Sequence, residues 1–249
     1  MLFKTIPPLL LALSLPVHAL AAPARPAPIQ ALERQGYQIL DSFPGPGGLT
    51  GYAALYLGRP QTLYLTPDRK QAIVGQLSDA NGEPWNAPLL NKQFSQVMWR
   101  QLEASHWVAD GDARAPRVVY AFTDPNCPFC NRFWQDARPW VQAGKVQIRH
   151  ILVGVIKADS PGKAAAILAA ADPAATLNRH ERQHASGGVA PLAKPPAAVS
   201  AKLVANHQLM ERFGVFATPV IFYADPKGDL QKIQGAPNAE RLLRILGPR

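Results

Sequence analysis

The chain has two cysteines in 249 residues, and they stand three positions apart, in Thr123-Asp-Pro-Asn-Cys127-Pro128-Phe129-Cys130. Thiols so spaced on the first turn of a helix lie on one side of it, within reach of a disulfide. A staple closing so short a loop would constrain the unfolded chain little. A zinc site would need two further ligands, and neither a second cysteine pair nor finger-like histidine spacing follows. The pair therefore reads as a redox dithiol. At the helix mouth Cys127 meets unpaired N–H groups and the helix dipole, which favour its thiolate. That thiolate can attack a disulfide or an oxidised sulfur, and the shielded Cys130 can then resolve the mixed disulfide.

A rival motif is present. His180-Glu-Arg-Gln-His184 matches H-E-x-x-H, in which two histidines one turn apart bind zinc and the glutamate acts as base, with His207 or Glu211 as a conceivable third ligand. A helix of that kind needs an apolar back face. Residues 178–186 (NRHERQHAS) are almost wholly polar and Gly187-Gly188 follow at once, so the match reads as a solvated accident. No metal and no other cofactor is expected. His106 and His150 read as packing or surface residues.

The elements that position the dithiol are legible on both sides of it. Arg117 to Phe122 is a continuous apolar run suited to a buried central strand. After the motif, Cys130, Phe133, Trp134, Ala137 and Val141 share one helical stripe. Pro128 fits the first helical turn, where its missing N–H costs nothing, and Pro139 should kink or shorten the helix near its end. Residues 145–156 (KVQIRHILVGVI) read as a second core strand, and 162–212 as a helical insertion broken near Asp172-Pro173 and in the Gly/Pro-rich 186–197. Thr218-Pro219 opens the strand Val220 to Tyr223, and a proline leading a strand there invites a cis peptide bond. A turn at 225–228, a return strand and a helix over 238–245 close the chain.

Upstream the regime differs. A short helix over 29–36 precedes four strand-like runs, 37–43, 49–57, 62–66 and 71–77, separated by turn material that suggests an antiparallel meander. The glycine cluster at 45–51 lacks the Lys-Ser/Thr ending of a phosphate cradle and reads as turns. A unit this small has a meagre core, which pairing with a second copy would relieve. From Asn91, read as an N-cap, Phe94, Val97, Met98 and Leu102 form a narrow helical stripe, the pattern of a linker helix over 91–112. The unit after residue 112 is expected to fold alone.

Composition sets the compartment. Lys4, a short apolar stretch and Ala19-Leu20-Ala21 (or Val17-His18-Ala19) read as a signal peptide over 1–21. No apolar run approaches the roughly 20 residues of a membrane span. The formal charge of +9 is scattered, with no run of like charges that would mark a nucleic-acid arm, so it reads as a solvated surface.

The chain resembles the DsbC/DsbG group of periplasmic thiol:disulfide interchange proteins, most closely its DsbG branch. The likeness is carried by PGGLTGY (46–52), YLTPD (64–68), MWRQLEASHWVADG (98–111), TDPNCPFC (123–130), ARPWVQAGKVQ (137–147), LVGVIK (152–157) and TPVIFY (218–223). It implies an α+β chain: a cystatin-like dimerisation domain over 22–90, the linker helix over 91–112, and a thioredoxin-like catalytic domain over 113–249 with its insertion at about 160–212. It also implies a homodimer, Cys127 as nucleophile, Cys130 as resolving thiol, and Thr218-Pro219 as a substrate-contacting loop. Further implied are a DsbD-type membrane reductant and clients that are misfolded or cysteine-oxidised periplasmic proteins. The Pro128-Phe129 pair resembles the Pro-Tyr of DsbG rather than the Gly-Tyr of DsbC, and the second cysteine pair of DsbC is missing. Asn126 departs from the aromatic residue expected there. The alternatives are a DsbA-like oxidase and a non-enzymatic holdase chaperone.

Overall fold

The computed structural model describes residues 24–85 and 87–248. The proposed signal segment lies outside the described residues. Helix α1 (Ala27–Arg34) leads into a four-stranded antiparallel meander, β1 (Gln38–Pro44), β2 (Thr50–Tyr56), β3 (Arg59–Leu65) and β4 (Ala72–Val74), paired in that order. Alternation along β2 and β3 splits the sheet's side chains between two faces. Tyr52, Ala54, Leu63 and Leu65 pack with Ile29 and Leu32 of α1. Ala53, Leu55 and Tyr64 turn the other way and join Phe43. That second face is covered by helix α2 (Ala87–Glu103), through Leu90, Phe94, Met98 and Leu102.

Helix α2 differs from the expected 91–112. It starts at Ala87, with Pro88 in its first turn, so Asn91 lies inside it rather than capping it. It ends at Glu103. The residues after it form β5 (Trp107–Asp110), which pairs antiparallel with a strand of the second sheet. Val108 and Asp110 point inward while Trp107 lies under the Arg149 guanidinium, so four residues suffice for a strand.

The second sheet adds β6 (Arg117–Thr123), β7 (Val146–Leu152), β8 (Val220–Ala224) and β9 (Leu230–Gln234), in the order β5-β7-β6-β8-β9. Only β6 and β7 run parallel. Helix α3 (Pro128–Gln142) crosses between these two strands, continuing three residues beyond Pro139. The insertion is α4 (Ser160–Leu168), α5 (Pro173–Arg182) and α6 (Ala197–Arg212), and α7 (Ala239–Leu246) closes the chain. Asp172 and Asn238 cap α5 and α7 by accepting from Ala175 and Arg241 N–H.

The apolar run of β6 serves two faces at once. Val119 and Ala121 pack against Phe133, Ala137 and Trp140 of α3 and Leu242 and Ile245 of α7. Tyr120 and Phe122 meet α2 and the end of α6, through Met98, Leu209, Met210 and Phe213. The tip of the β2–β3 hairpin rests on the loop after α6. There Gly58 has φ +69, and a Cβ on it would fall 1.9 Å from Gly214 N, so only glycine permits the approach. Helix α2 thus sits between the two sheets and shares a core with both.

Candidate active site

The sheet ends β6 at Thr123 and hands the chain to α3 through Asp124-Pro125-Asn126-Cys127. Asp124 is the anchor of this turn. Its buried carboxylate accepts from Asn126 N–H (2.8 Å), Ser160 Oγ (2.8 Å), and the Val155 and Ile156 N–H groups (2.6 and 3.0 Å). Four donors satisfy a buried carboxylate completely. Asn126 extends the fastening: its amide donates to Asp159 Oδ1 and Ser160 Oγ, and its Oδ1 accepts from Lys163 Nζ. The departure from an aromatic at Asn126 therefore has a structural counterpart in polar partners on α4.

Cys127 is the N-cap of α3, with Pro128 at the first helical position as expected. Both cysteines are free thiols and both are buried. Cys130 N–H donates to Cys127 Sγ at 3.3 Å, and in the thiol form Cys127 Sγ donates to the Thr218 carbonyl at 3.2 Å. Hydrogen bonding from the Cys130 thiol holds Cys127 down to about 6 from its ordinary 9.0, against the opposing effect of burial. The nearby Thr218 hydroxyl and the N–H groups of Cys130 and Phe129 add to this. Burial, the hydrogen bond to Cys127 and its charge drive the Cys130 thiol well above the ordinary value. The two thiols are thus driven in opposite directions, Cys127 toward its thiolate and Cys130 toward its protonated form.

The loop from across the sheet completes the site. The Thr218–Pro219 peptide is cis, and Pro219 O accepts from Gly235 N–H, fixing the turn ahead of β8. Two large apolar side chains close in sequence to these groups are exposed: Phe129, within the dithiol motif, at 58%, and Phe216, two residues before Thr218, at 81%. The sequence-derived residues Cys127, Pro128, Phe129, Cys130, Thr218 and Pro219 are thereby brought to one place.

One expectation is overturned. His180 and Glu181 are not solvated but 1% and 2% exposed. His180 Nε2 bonds the Pro125 carbonyl (2.7 Å) and its Nδ1 accepts from Val189 N–H (3.1 Å), so both ring nitrogens are already committed within the protein. Glu181 accepts from Asn131 of α3. The polar segment is buried because its partners are polar groups of the dithiol turn, 55 and 50 residues away in the chain. Asp124, Asn131, His180 and Glu181 are the site residues that sequence reasoning missed. For Asp124 a signal existed, an Asx-Pro step right after the central strand.

The fold and the divided thiols place the chain among the thiol:disulfide oxidoreductases of thioredoxin fold. Residues 109–247 match the family model described as a thioredoxin-like domain. In fold it is similar to the catalytic domain of Proteus mirabilis ScsC, with a TM-score of 0.53 at 22% identity over 62% of this chain and 96% of that one. It is 50% identical over 235 residues to the thiol:disulfide interchange protein DsbG of Pseudomonas aeruginosa, covering 93% of this chain and 92% of that protein. To the DsbG of Escherichia coli it is 46% identical over 247 residues, covering 96% and 97%. The chain belongs to the DsbG family of thiol:disulfide interchange proteins.

Proposed function

We propose that this chain is a periplasmic disulfide isomerase and reductase in which Cys127 is the nucleophile and Cys130 the resolving thiol. The observation that carries this is the Cys130 N–H on Cys127 Sγ at the start of α3, with the two thiols driven in opposite directions. The Cys127 thiolate attacks one sulfur of a client disulfide, forming a mixed disulfide and releasing the client's other sulfur as a thiolate. If that thiolate attacks a different client disulfide, the wrong pairing is shuffled, and a client thiolate returning to the mixed disulfide frees Cys127 with no net electron transfer. If instead Cys130 loses its proton and attacks Cys127 Sγ, the client leaves reduced and the Cys127–Cys130 disulfide carries the two-electron oxidation. A sulfenylated client cysteine reacts by the same attack, with hydroxide as leaving group and water as product. A DsbD-type membrane reductant would then restore the dithiol.

Phe129 and Phe216 offer apolar contact to an unfolded client, and the Thr218-Pro219 loop lies where the client backbone would run. The N-terminal meander is the proposed dimerisation domain and α2 the proposed linker. The edge strand β4 supports self-pairing, since Ile73 and Val74 are exposed on it. Misfolded or cysteine-oxidised periplasmic proteins are the proposed clients, consistent with the leader-like N-terminus; no helix among the described residues is long and apolar enough to cross a membrane.

The test uses C127S and C130A in two assays. Refolding of a scrambled disulfide protein should be lost in C127S by at least about a hundredfold, some 2.7 kcal/mol of lost barrier reduction. C130A should accumulate mixed disulfides through Cys127. Suppression of aggregation should survive both substitutions if the apolar surface also holds clients. Reshuffling retained in C127S would leave only the holdase reading. Efficient oxidation of a reduced client, with no reshuffling, would favour a DsbA-like oxidase.

A further inference from the structure

His180 and Glu181 belong to no step of thiol exchange, yet they are buried side by side on α5. Burial of two ionisable side chains is costly unless each is hydrogen-bonded. Their bonds reach the two ends of the dithiol turn. His180 Nε2 lies 2.7 Å from the Pro125 carbonyl, which can only accept, so Nε2 carries the proton and Nδ1 accepts from Val189 N–H. Gly188 lets the chain pass close over this ring: it has φ +67, and a Cβ there would fall 2.3 Å from His180 Nδ1. At the other end, Glu181 Oε2 accepts from Asn131 Nδ2 at 2.8 Å, and the Glu181 carbonyl accepts from the same amide at 2.7 Å. Asn131 follows Cys130 directly, and its N–H donates to the Cys127 carbonyl. Pro125 and Asn131 thus bracket the motif, and adjacent residues of one helix hold both.

We infer that His180 and Glu181 are positioning residues for the exchange, clamping the turn from Pro125 to Asn131 so that Cys130 N–H stays on Cys127 Sγ. The inference rests on the dithiol reading of Cys127 and Cys130. Burial favours the neutral forms, keeping His180 below its ordinary value and Glu181 above it. The charged or titratable neighbours are His184, Lys163 and Asp124 for His180, and His150, Asp110 and Arg138 for Glu181. The readout is therefore taken at Cys127, not at the pair.

The experiment compares full-length wild type, H180F, E181A and E181Q by thiolate absorbance against pH and by the rate of reduction of a small aromatic disulfide. A slackened turn should move the Cys127 midpoint from near 6 toward 7, cutting the rate about fivefold at pH 6 and less than twofold at pH 8. E181Q keeps an amide oxygen for Asn131 and should restore the wild-type profile. A merely structural role would lower the amplitude at every pH without moving the midpoint. If H180F or E181A fails to fold, N131A, which removes the Glu181 link from the α3 side and leaves the His180–Pro125 bond in place, must still give the shift. Folded variants, or N131A, with a wild-type midpoint would overturn the clamp alone. A wild-type Cys127 titrating at its ordinary value would overturn the clamp and the dithiol reading together.

Discussion

The two sheets solve the problem of burial differently. The five-stranded sheet is covered on both faces, by α3 and α7 on one and by α2 and α6 on the other, and it encloses ionisable groups as well as apolar ones. The four-stranded sheet has α1 on one face, borrows α2 for the other, and leaves the outer edge of β4 exposed. A catalytic turn needs the first kind of environment. Only a fully enclosed frame can hold Asp124, His180 and Glu181 away from water with every bond satisfied, and so keep one thiol ionised beside one that is not. The proposed assembly surface would use the second, where the β4 edge and exposed Ile73 and Val74 remain available.

The largest effect should come from the buried charges of the catalytic sheet. Asp110 on β5 pairs with the Arg138 guanidinium of α3 and faces His150. Burial pushes its carboxyl up, but the adjacent His150 ring and the hydrogen-bonded Arg138 guanidinium outweigh this and hold it well below the usual carboxylate range. D110A leaves Arg138 and His150 without their carboxylate and should cost about 3–5 kcal/mol in urea unfolding at neutral pH. The sign follows from a lowered folded-state value: the stabilisation is complete above the unfolded value of 3.8 and fades as pH falls through the lower folded one. The gap between wild type and D110A should therefore narrow below pH 3.8. An equal gap at all pH values would mean that Asp110 acts by packing alone.

An intermediate effect separates the sheets themselves. A chain begun at residue 113 would lack both α2 and β5, baring Tyr120, Phe122 and Phe222 and stranding Arg138, so the expectation that it folds alone needs revision. A chain begun at residue 87 keeps both elements. It should fold, sediment as a monomer, reduce small disulfides near the wild-type rate, and lose at least about tenfold in reshuffling, some 1.4 kcal/mol. Undiminished reshuffling by that monomer would remove the need for paired domains. The smallest effect on stability should come from V74K at the β4 edge, within about 0.5 kcal/mol. Its sedimentation should nonetheless move toward monomer at micromolar concentration, because a lysine on an edge strand opposes pairing. An unchanged mass would place self-association elsewhere.

The dithiol, its helix and the apolar run of β6 were readable because their signals are local: a three-residue spacing, one helical stripe, and an unbroken run of strand formers. The same holds for the meander, whose turn residues fall between the strands that pair. What was not readable depends on partners far along the chain. NRHERQHAS looks solvated by composition, yet Pro125 and Asn131 give His180 and Glu181 polar company inside. Trp107–Asp110 is too short to register as a strand and lies between a helix and Asp110-Gly-Asp112, so only its pairing with β7 reveals it. Asn206, likewise, is buried on α6 because it serves His106 and the Leu152 carbonyl at once.

The division of labour between the two thiols is tested most directly by alkylation. Reduced full-length protein is pulsed with iodoacetamide from about pH 4 to about pH 10, a window that brackets both the lowered and the ordinary thiol values, and the modified cysteine is identified by mass spectrometry. Cys127 alone should be labelled, with a midpoint near 6, while Cys130 stays unmodified through neutral pH. Labelling of Cys130 first, or of Cys127 only as pH approaches its ordinary 9.0, would contradict the nucleophile assignment and the mechanism built on it.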